Sequence, residues 1–464
     1  MSDPKSIFLK DAAVTSADAP QRAFIRKALG GYYVNRDLQK ARYRDWERAR
    51  DAAAMAKWSA VNDLAANLEK FTANFERNGG KVHWARDAAE AREIILRLVR
   101  QAGAKSIVKS KCMTSEEIHL NDALEAEGFG VVESDLGEFI QQLRKEPPYH
   151  FVFPCMHVKR EAISELFTQH LGTPPTDSPE ELTMIARRHL RQMYVDADVG
   201  ITGANFLVAE TGQISITENE GNARLTAALP RVHIALSGIE KVVASLDDLS
   251  VLLPMLATAG AGQPMTCYNT FYSGPKRRDE PDGPEEFHLV LLDNSRTRIL
   301  ADPEQRDSLH CIRCGACLNV CPIFKNIGGL AYGTTYQGPI GSVITPHLRG
   351  LKQWNHLSGA SSLCGACTDA CPVRIDLHHH LLHNRRNAAK ENPTWFDRIF
   401  HRSFLFVTSR PALFSLGGKA FRAFLPLLKK LPVPYMSAWL KTRDLPEAPA
   451  VSFRDQWKKG AGRG

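Results

Sequence analysis

The sequence predicts an α/β domain with a mainly parallel sheet, followed by a small α-helical domain built around cysteines. Three observations predict this. Short apolar runs alternate with amphipathic stretches between residues 81 and 171, the rhythm of strands and helices in a parallel α/β sheet. A β-rich stretch follows from Gly200. Seven of the ten cysteines then fall between residues 311 and 371, in two blocks that nearly repeat each other.

Taken in order, residues from about 36 to 77 read as one long charged helix. Trp46, Ala53, Leu64, Leu68, Phe71 and Phe75 recur at roughly helical spacing, and Asn78-Gly79-Gly80 is a stop signal. Lys81–Trp84 reads as a strand and Asp87–Gln101 as a helix opening on an Asp-x-x-Glu box. Ser106–Lys109 is a strand, Thr114–Glu127 a helix with a Thr-x-x-Glu box, and Gly130–Glu133 a strand. His150–Pro154 and Arg160–Leu171 continue the alternation. Gly200–Thr217 is β-rich, with Glu210-Thr211-Gly212 as its turn; Arg231–Leu236 and Met265–Tyr272 are further strands, and His288–Leu292 closes the sheet. Pro303 marks the boundary to the cysteine domain. The glycine-rich Gly328–Gly341 fits neither a Walker loop nor a GxGxxG after a strand, so it reads as a plain loop. No dinucleotide fingerprint occurs, and flavin or nicotinamide chemistry has no support. The predicted division is a helical segment over 1–78, an α/β domain over 79–300, the cysteine domain over 301–392 and a basic extension over 393–464.

The first block, Cys311-Ile-Arg-Cys314-Gly-Ala-Cys317-Leu-Asn-Val-Cys321-Pro322, has the C-x2-C-x2-C-x3-C-P spacing of bacterial two-cluster ferredoxins. Three thiolates at steps of three residues wrap one [4Fe–4S] cube, and the fourth cysteine reaches the other cluster. The second block, Cys364-Gly-Ala-Cys367-Thr-Asp-Ala-Cys371-Pro372, puts Ser361 where the first has Cys311. The crossed pattern assigns Cys311, Cys314, Cys317 and Cys371 to one cluster, and Cys321, Cys364 and Cys367 to the other. The second set is one ligand short. Ser361, a histidine or aspartate, a partner's residue or solvent would complete it, or the site holds a [3Fe–4S] cluster. Structural zinc is the plain alternative, but zinc draws four ligands from separated pairs, and seven cysteines in triplets with Cys-Pro endings fit it poorly. A disulfide framework belongs to secreted proteins, and no secretory signal is present.

Cys112, Cys155 and Cys267 are scattered and read as small buried apolar residues. Cys112 is the least ordinary, since Lys109 and Lys111 flank it and a helix starts just after it; both features lower a thiol's pKa. His378, His379, His380 and His383 follow the second block. Such a cluster is usually a solvated helix face, the alternative here being a ligand or proton-coupled role beside the incomplete cluster.

A chain of 464 residues predicts two or three domains. The formal charge of +8 is modest and no arginine-rich tract alternates with aromatics, so nucleic acid is not an expected partner. The amino terminus lacks a signal peptide and no stretch approaches the roughly 20 apolar residues of a membrane span, which predicts a cytoplasmic protein. From about residue 400, aromatic and apolar residues alternate with Arg402, Arg410, Lys419, Arg422, Lys429 and Lys430. Pro411, Pro426, Pro432 and Pro434 are expected to break any helix there. This tail reads as a helical wrap around the cluster domain, with peripheral membrane contact or partner docking as alternatives.

Lys111-Cys-Met-Thr-Ser-Glu-Glu-Ile118, Glu133-Ser-Asp-Leu-Gly-Glu-Phe139, Gly200-Ile-Thr-Gly-Ala-Asn205, Ala209-Glu-Thr-Gly212 and Asn219-Glu-Gly-Asn222 resemble the LUD domain of lactate-utilisation proteins. With two cysteine blocks and a basic extension behind them, essentially the full chain is similar to the LutB/YkgF family. The resemblance implies an α/β domain of the NagB/RpiA/CoA-transferase-like kind followed by an α-helical two-cluster ferredoxin-type domain. It implies an iron–sulfur subunit that acts with LutA-like and LutC-like subunits in oxidising L-lactate to pyruvate. The family's seven cluster cysteines map onto Cys311, Cys314, Cys317 and Cys371, and onto Cys321, Cys364 and Cys367. Three functions compete: an electron-transfer subunit; a LUD-domain enzyme binding a carboxylate or CoA-like ligand through Glu210, Asn219, Glu220 and Asn222; and a scaffold with structural clusters. For those four polar residues the plain reading is turn chemistry.

Overall fold

Six parallel strands form the centre of the α/β domain: β1 (Lys81–Ala85), β2 (Ser106–Lys109), β3 (Gly130–Glu133), β4 (Val199–Gly203), β7 (Val232–Gly238) and β10 (Glu286–Leu292), in the order β1-β10-β7-β4-β2-β3. A smaller sheet is built from β5 (Phe206–Val208), β6 (Gln213–Glu218), β8 (Val242–Val243) and β9 (Tyr268–Tyr272), in the order β8-β5-β6-β9. The computed structural model describes residues 3–391, 395–428, 440, 443–444, 447 and 449–460. They fall into two compact units, Met1–Ala389 and Lys390–Gly464.

Alternation along β10 shows why the large sheet is buried on both faces. Phe287, Leu289 and Leu291 pack with Phe71 and Phe75 of the helix Leu64–Arg77 and with Leu207 and Ile214 of the small sheet. Val290 and Leu292 pack on the other side with Ile94, Ile95 and Leu98 of the helix Ala88–Gln101. Both sets of side chains are fully or almost fully buried, as a parallel sheet between two layers requires.

The α/β class and most strands lie where the sequence places them, but five details differ. The expected helix over 36–77 is three helices, Ala19–Lys40, Trp46–Asn62 and Leu64–Arg77. Asp45 turns away from helical geometry and its carboxylate accepts from the Arg48 N–H at 3.0 Å, starting a new helix. The helix over 114–127 is also broken, into Met113–Glu117 and Leu120–Ala126. His119 there has φ 52° and Arg92 takes the Ile118 carbonyl at 2.8 Å; Thr114 caps nothing. His150–Pro154 is a bend, because His150 Nδ1 accepts from the N–H groups of Val152 and Phe153, at 3.0 and 3.3 Å. The last strand does not close the sheet at an edge: it is inserted between β1 and β7. Finally, Gly328–Gly341 is a loop only in part, since a helix runs over Gly338–Arg349.

The cysteine domain is helical, as expected. Its core joins Leu318, Phe324, Tyr332, Ile340 and Val343 to Phe8, Ile25 and Leu29 of the amino-terminal helices and to Leu252 and Met255 of the helix Leu246–Ala261. The carboxy-terminal unit holds helices Trp395–Thr408, Pro411–Leu428 and Phe453–Lys458. Pro411 opens its helix, where no N–H is needed, and Pro426 lies in the last turn, so neither breaks it as the sequence had suggested. Phe400, Phe404, Leu405, Phe421 and Phe424 are exposed in this unit. Lys429, Lys430, Pro432 and Pro434 lie outside the described residues. Among the described residues, no helix is long and apolar enough to cross a membrane.

Candidate iron–sulfur centres and the adjoining cleft

The two cysteine blocks adopt the same backbone. Arg313 and Leu363 occupy the left-handed region at φ 58° and 54°, and Gly315 and Gly365 follow at φ 80° and 81°. Each glycine starts a five-residue helix, Ala316–Val320 or Ala366–Ala370, which ends on Cys321 or Cys371 at φ −68° and ψ 121° or 119°. The match extends to the residues that differ. The Arg313 N–H donates to Cys311 Sγ at 3.4 Å, and the Leu363 N–H donates to Ser361 Oγ at 3.1 Å. Ser361 therefore presents oxygen in the local setting where Cys311 presents sulfur.

Cys311, Cys314, Cys317 and Cys371 line one cavity, with Phe151, Ile340 and Val373 as apolar walls. Burial pushes the Cys314 and Cys317 thiols up, and mutual proximity to Cys311 adds to it; the Cys371 thiol is pushed up to about 11 by burial. Cys321, Cys364 and Cys367 form the second gathering: burial, then Cys321 and Cys364, push Cys367 up to about 12. Cys364 is exposed, and its thiol is lowered by the Ala366 N–H and the Ser362 hydroxyl. Thiols this buried stay protonated by themselves and give up their protons to a metal. Cys314, Cys317 and Cys371, converging with the half-buried Cys311 between apolar walls, suit an iron–sulfur cube.

Buried cations stand close to the first set. Arg50 donates to the Cys371 carbonyl at 3.0 and 2.9 Å. Arg313 donates to Glu240 at 3.2 Å and lies over the Tyr336 ring, while its second terminal nitrogen is buried without a partner. Arg296 pairs with Glu117 through two bonds of 2.9 and 2.8 Å and with Glu240 at 2.5 Å. Tyr336 completes the Glu117 side at 2.7 Å, so one buried network bridges the α/β and cysteine domains.

A cleft of about 300 Å³ opens at the carboxyl ends of β2 and β4, the end of a parallel sheet where ligands usually bind. One wall carries Ser110, Lys111 and Cys112, another Asn219, Glu220 and Asn222, and the cysteine domain supplies Arg313 and Cys314. Of the four polar residues proposed from sequence, three line this cleft. Glu210 does not; its carboxylate accepts from the Leu246 N–H at 3.1 Å. Asn219 is held in turn chemistry, donating to Gln263 at 3.1 Å and accepting from the Cys267 N–H at 2.9 Å. Burial and the neighbouring Asp135 push Glu220 up to about 7. Cys112 lines the cleft, but its flanking lysines are engaged elsewhere: Lys109 with Glu116 and Glu133, Lys111 with Asp135 at 3.0 Å. Lys241 and Ser110 had no sequence signal. Arg313 had one, its place inside the first block.

Cys155, half-buried, has its thiol pushed up to about 11 by burial, and Cys267 is exposed; neither joins a cysteine set. His378 bonds Thr368 at 2.8 Å on the second block's helix, and His379 bonds Asp376 at 2.6 Å. Among the described residues no histidine is hydrogen-bonded to a cluster cysteine.

Fold and site together define an iron–sulfur protein in which a parallel α/β domain precedes a helical two-cluster domain. The comparisons agree: residues 68–292 match the LUD domain and residues 307–375 a 4Fe-4S dicluster domain. The chain is 40% identical to lactate utilization protein B of Shouchella clausii (strain KSM-K16), over 96% of this chain and 98% of that protein. It is 42% identical to lactate utilization protein B of Bacillus velezensis, over 94% of each. It is 41% identical to the uncharacterized electron transport protein YkgF of Escherichia coli (strain K12), over 95% and 94%. The chain belongs to the lactate utilization protein B family.

Proposed function

We propose that this protein is the electron-carrying iron–sulfur subunit of a cytoplasmic system that oxidises L-lactate to pyruvate, with LutA-like and LutC-like subunits as partners. The observation that carries this is the gathering of seven cysteines into two sets in a chain similar over nearly its whole length to lactate utilization protein B. In this reading Cys311, Cys314, Cys317 and Cys371 hold the first [4Fe–4S] cluster. Cys321, Cys364 and Cys367 hold the second, and Ser361 is its fourth donor; the shared backbone of the two blocks supports this. Bound clusters supply one-electron transfer, and the chain's part is to set their potentials. Arg50 and Arg313 would raise that of the first by favouring added negative charge. The exposed Cys364 makes the second set the natural port for a partner.

The test is anaerobic reduction of the reconstituted chain by L-lactate. Clusters that bleach only when the partner subunits are present support the electron carrier. Bleaching of the chain alone would favour a LUD-domain enzyme, which the cleft beside Cys314 makes the second reading. Clusters that never cycle would leave a scaffold.

A further inference from the structure

The cleft between the α/β domain and the first cysteine block holds polar groups that the protein leaves unanswered. Ser110 is 2% exposed and its hydroxyl has no partner. Asn222 is 7% exposed, and its side-chain amide makes no hydrogen bond among the described residues. A buried hydroxyl such as that of Ser110 is destabilising unless something bonds it, while the Asn222 amide is free to meet whatever enters the cleft.

The charges point the same way. Lys111 is neutralised by Asp135 at 3.0 Å, and Glu220 accepts from the Leu136 N–H at 3.2 Å. Lys241 has no such counter-ion. Its ammonium donates to the Ala204 carbonyl at 2.6 Å, and among the described residues no carboxylate lies within ion-pair distance. Glu240, the neighbouring residue, already serves Arg296 and Arg313. Burial accordingly lowers the Lys241 pKa, partly offset by Cys112 and Glu240. Arg313 adds a terminal nitrogen without a partner on the same side. The lining also holds Glu218, which accepts from the Ala223 and Arg224 N–H groups. Beyond these internal pairs, the Lys241 ammonium, one Arg313 nitrogen, the Ser110 hydroxyl and the Asn222 amide remain to meet a ligand in a cavity of about 300 Å³, the lower end of ligand-pocket sizes.

We propose that this cleft binds a small carboxylate with a second oxygen on the adjacent carbon, a 2-hydroxy or 2-oxo acid. Lys241 and Arg313 answer the carboxylate, and Ser110 and Asn222 answer the second oxygen. The class of acid rests on the lactate reading above; the site itself rests on the unpaired groups. Because Arg313 also neighbours Cys311 and Cys314, the bound anion and the first cluster draw on the same positive charge. Occupancy then lowers that cluster's potential, and reduction weakens binding by the same factor.

Calorimetry on the anaerobically reconstituted full chain, with pyruvate, L-lactate and propionate as probes, tests the site. Pyruvate or L-lactate should bind, and propionate, which lacks the second oxygen, about tenfold more weakly. Lys241→Met should weaken binding about tenfold or more, Lys241→Arg should retain most of it, and Asn222→Ala should narrow the gap between pyruvate and propionate. A redox titration should show one cluster shifting to lower potential with pyruvate. No binding of any probe, or equal binding by wild type, Lys241→Met and Asn222→Ala, overturns the site. A chain that binds pyruvate but carries no iron keeps the site and removes the electron carrier. A chain with both clusters that binds no acid does the reverse.

Discussion

At position 361 the second cysteine block offers an oxygen where the first offers a sulfur, in the same left-handed turn and with the same N–H donor two residues on. A hydroxyl is a poorer iron ligand than a thiolate, and Cys364 beside it is exposed. The second cluster should therefore be the first to suffer in air. Ser361→Ala should speed its conversion to a three-iron cluster, read as a new paramagnetic signal, while the first cluster is unchanged. Ser361→Cys should give a second cubane as air-stable as the first. Indistinguishable air stability of all three proteins would remove Ser361 from the ligand set. The cysteine spacing was legible because steps of three residues encode the turn locally. Lys241 was not: nothing in Gly238-Ile-Glu-Lys241 announces a cation without a counter-ion, since that property arises only when β4 and the first block close around it.

At the scale of elements, the crossing of the blocks and the bridge between domains each make a prediction. Cys371 ends the second block's helix yet lines the cavity of Cys311, Cys314 and Cys317. Cys311→Ala and Cys371→Ala should thus perturb the same paramagnetic signal, and loss of different signals would reject the crossed assignment. The bridge centres on Arg296, 1% exposed between Glu117 and Glu240. Removing it leaves the buried Glu117 without a cation and Glu240 with Arg313 alone, so Arg296→Met should destabilise the protein by about 3–5 kcal/mol, seen in thermal unfolding. Burial alone would raise the Glu117 carboxyl, but Arg296, Asn294 and Tyr336 hold it down at about 2. With a folded pKa below the unfolded one, its contribution is complete above about 4.5 and is lost as pH falls toward 2. Acid unfolding of the wild type should carry that component, and Arg296→Met should lose it. The breaks at Asp45 and His119 show the limit of periodicity. Apolar spacing marked the buried face, but a capping carboxylate and an arginine on a carbonyl decided where each helix ends.

For the whole molecule, the cluster reading sets a stoichiometry. The purified anaerobic chain should hold about eight iron and eight sulfide, two cubes. Metal and sulfide analysis checks it, and one zinc without sulfide would reject the reading. The parallel α/β class followed by a cysteine domain was readable from alternation and motif order. The position of the last strand was not, because strand order is set by which backbone edges meet in the complete fold and no local pattern in His288–Leu292 names its neighbours.

That inserted strand constrains how the chain is made. β1 has β10 as its sheet neighbour, with Lys81 opposite His288, so the first strand waits until the last has been translated. At about 5–20 residues per second, the delay is on the order of 10–40 s, during which the β1 backbone stays unpaired on the ribosome. Such distant pairing makes for slow folding and exposure to aggregation. Once β10 docks, the next residues to emerge are those leading to Cys311, so vectorial synthesis favours a finished sheet before the cluster ligands are all available. Expression yield of the holoprotein should then respond to chaperone supply as well as to iron.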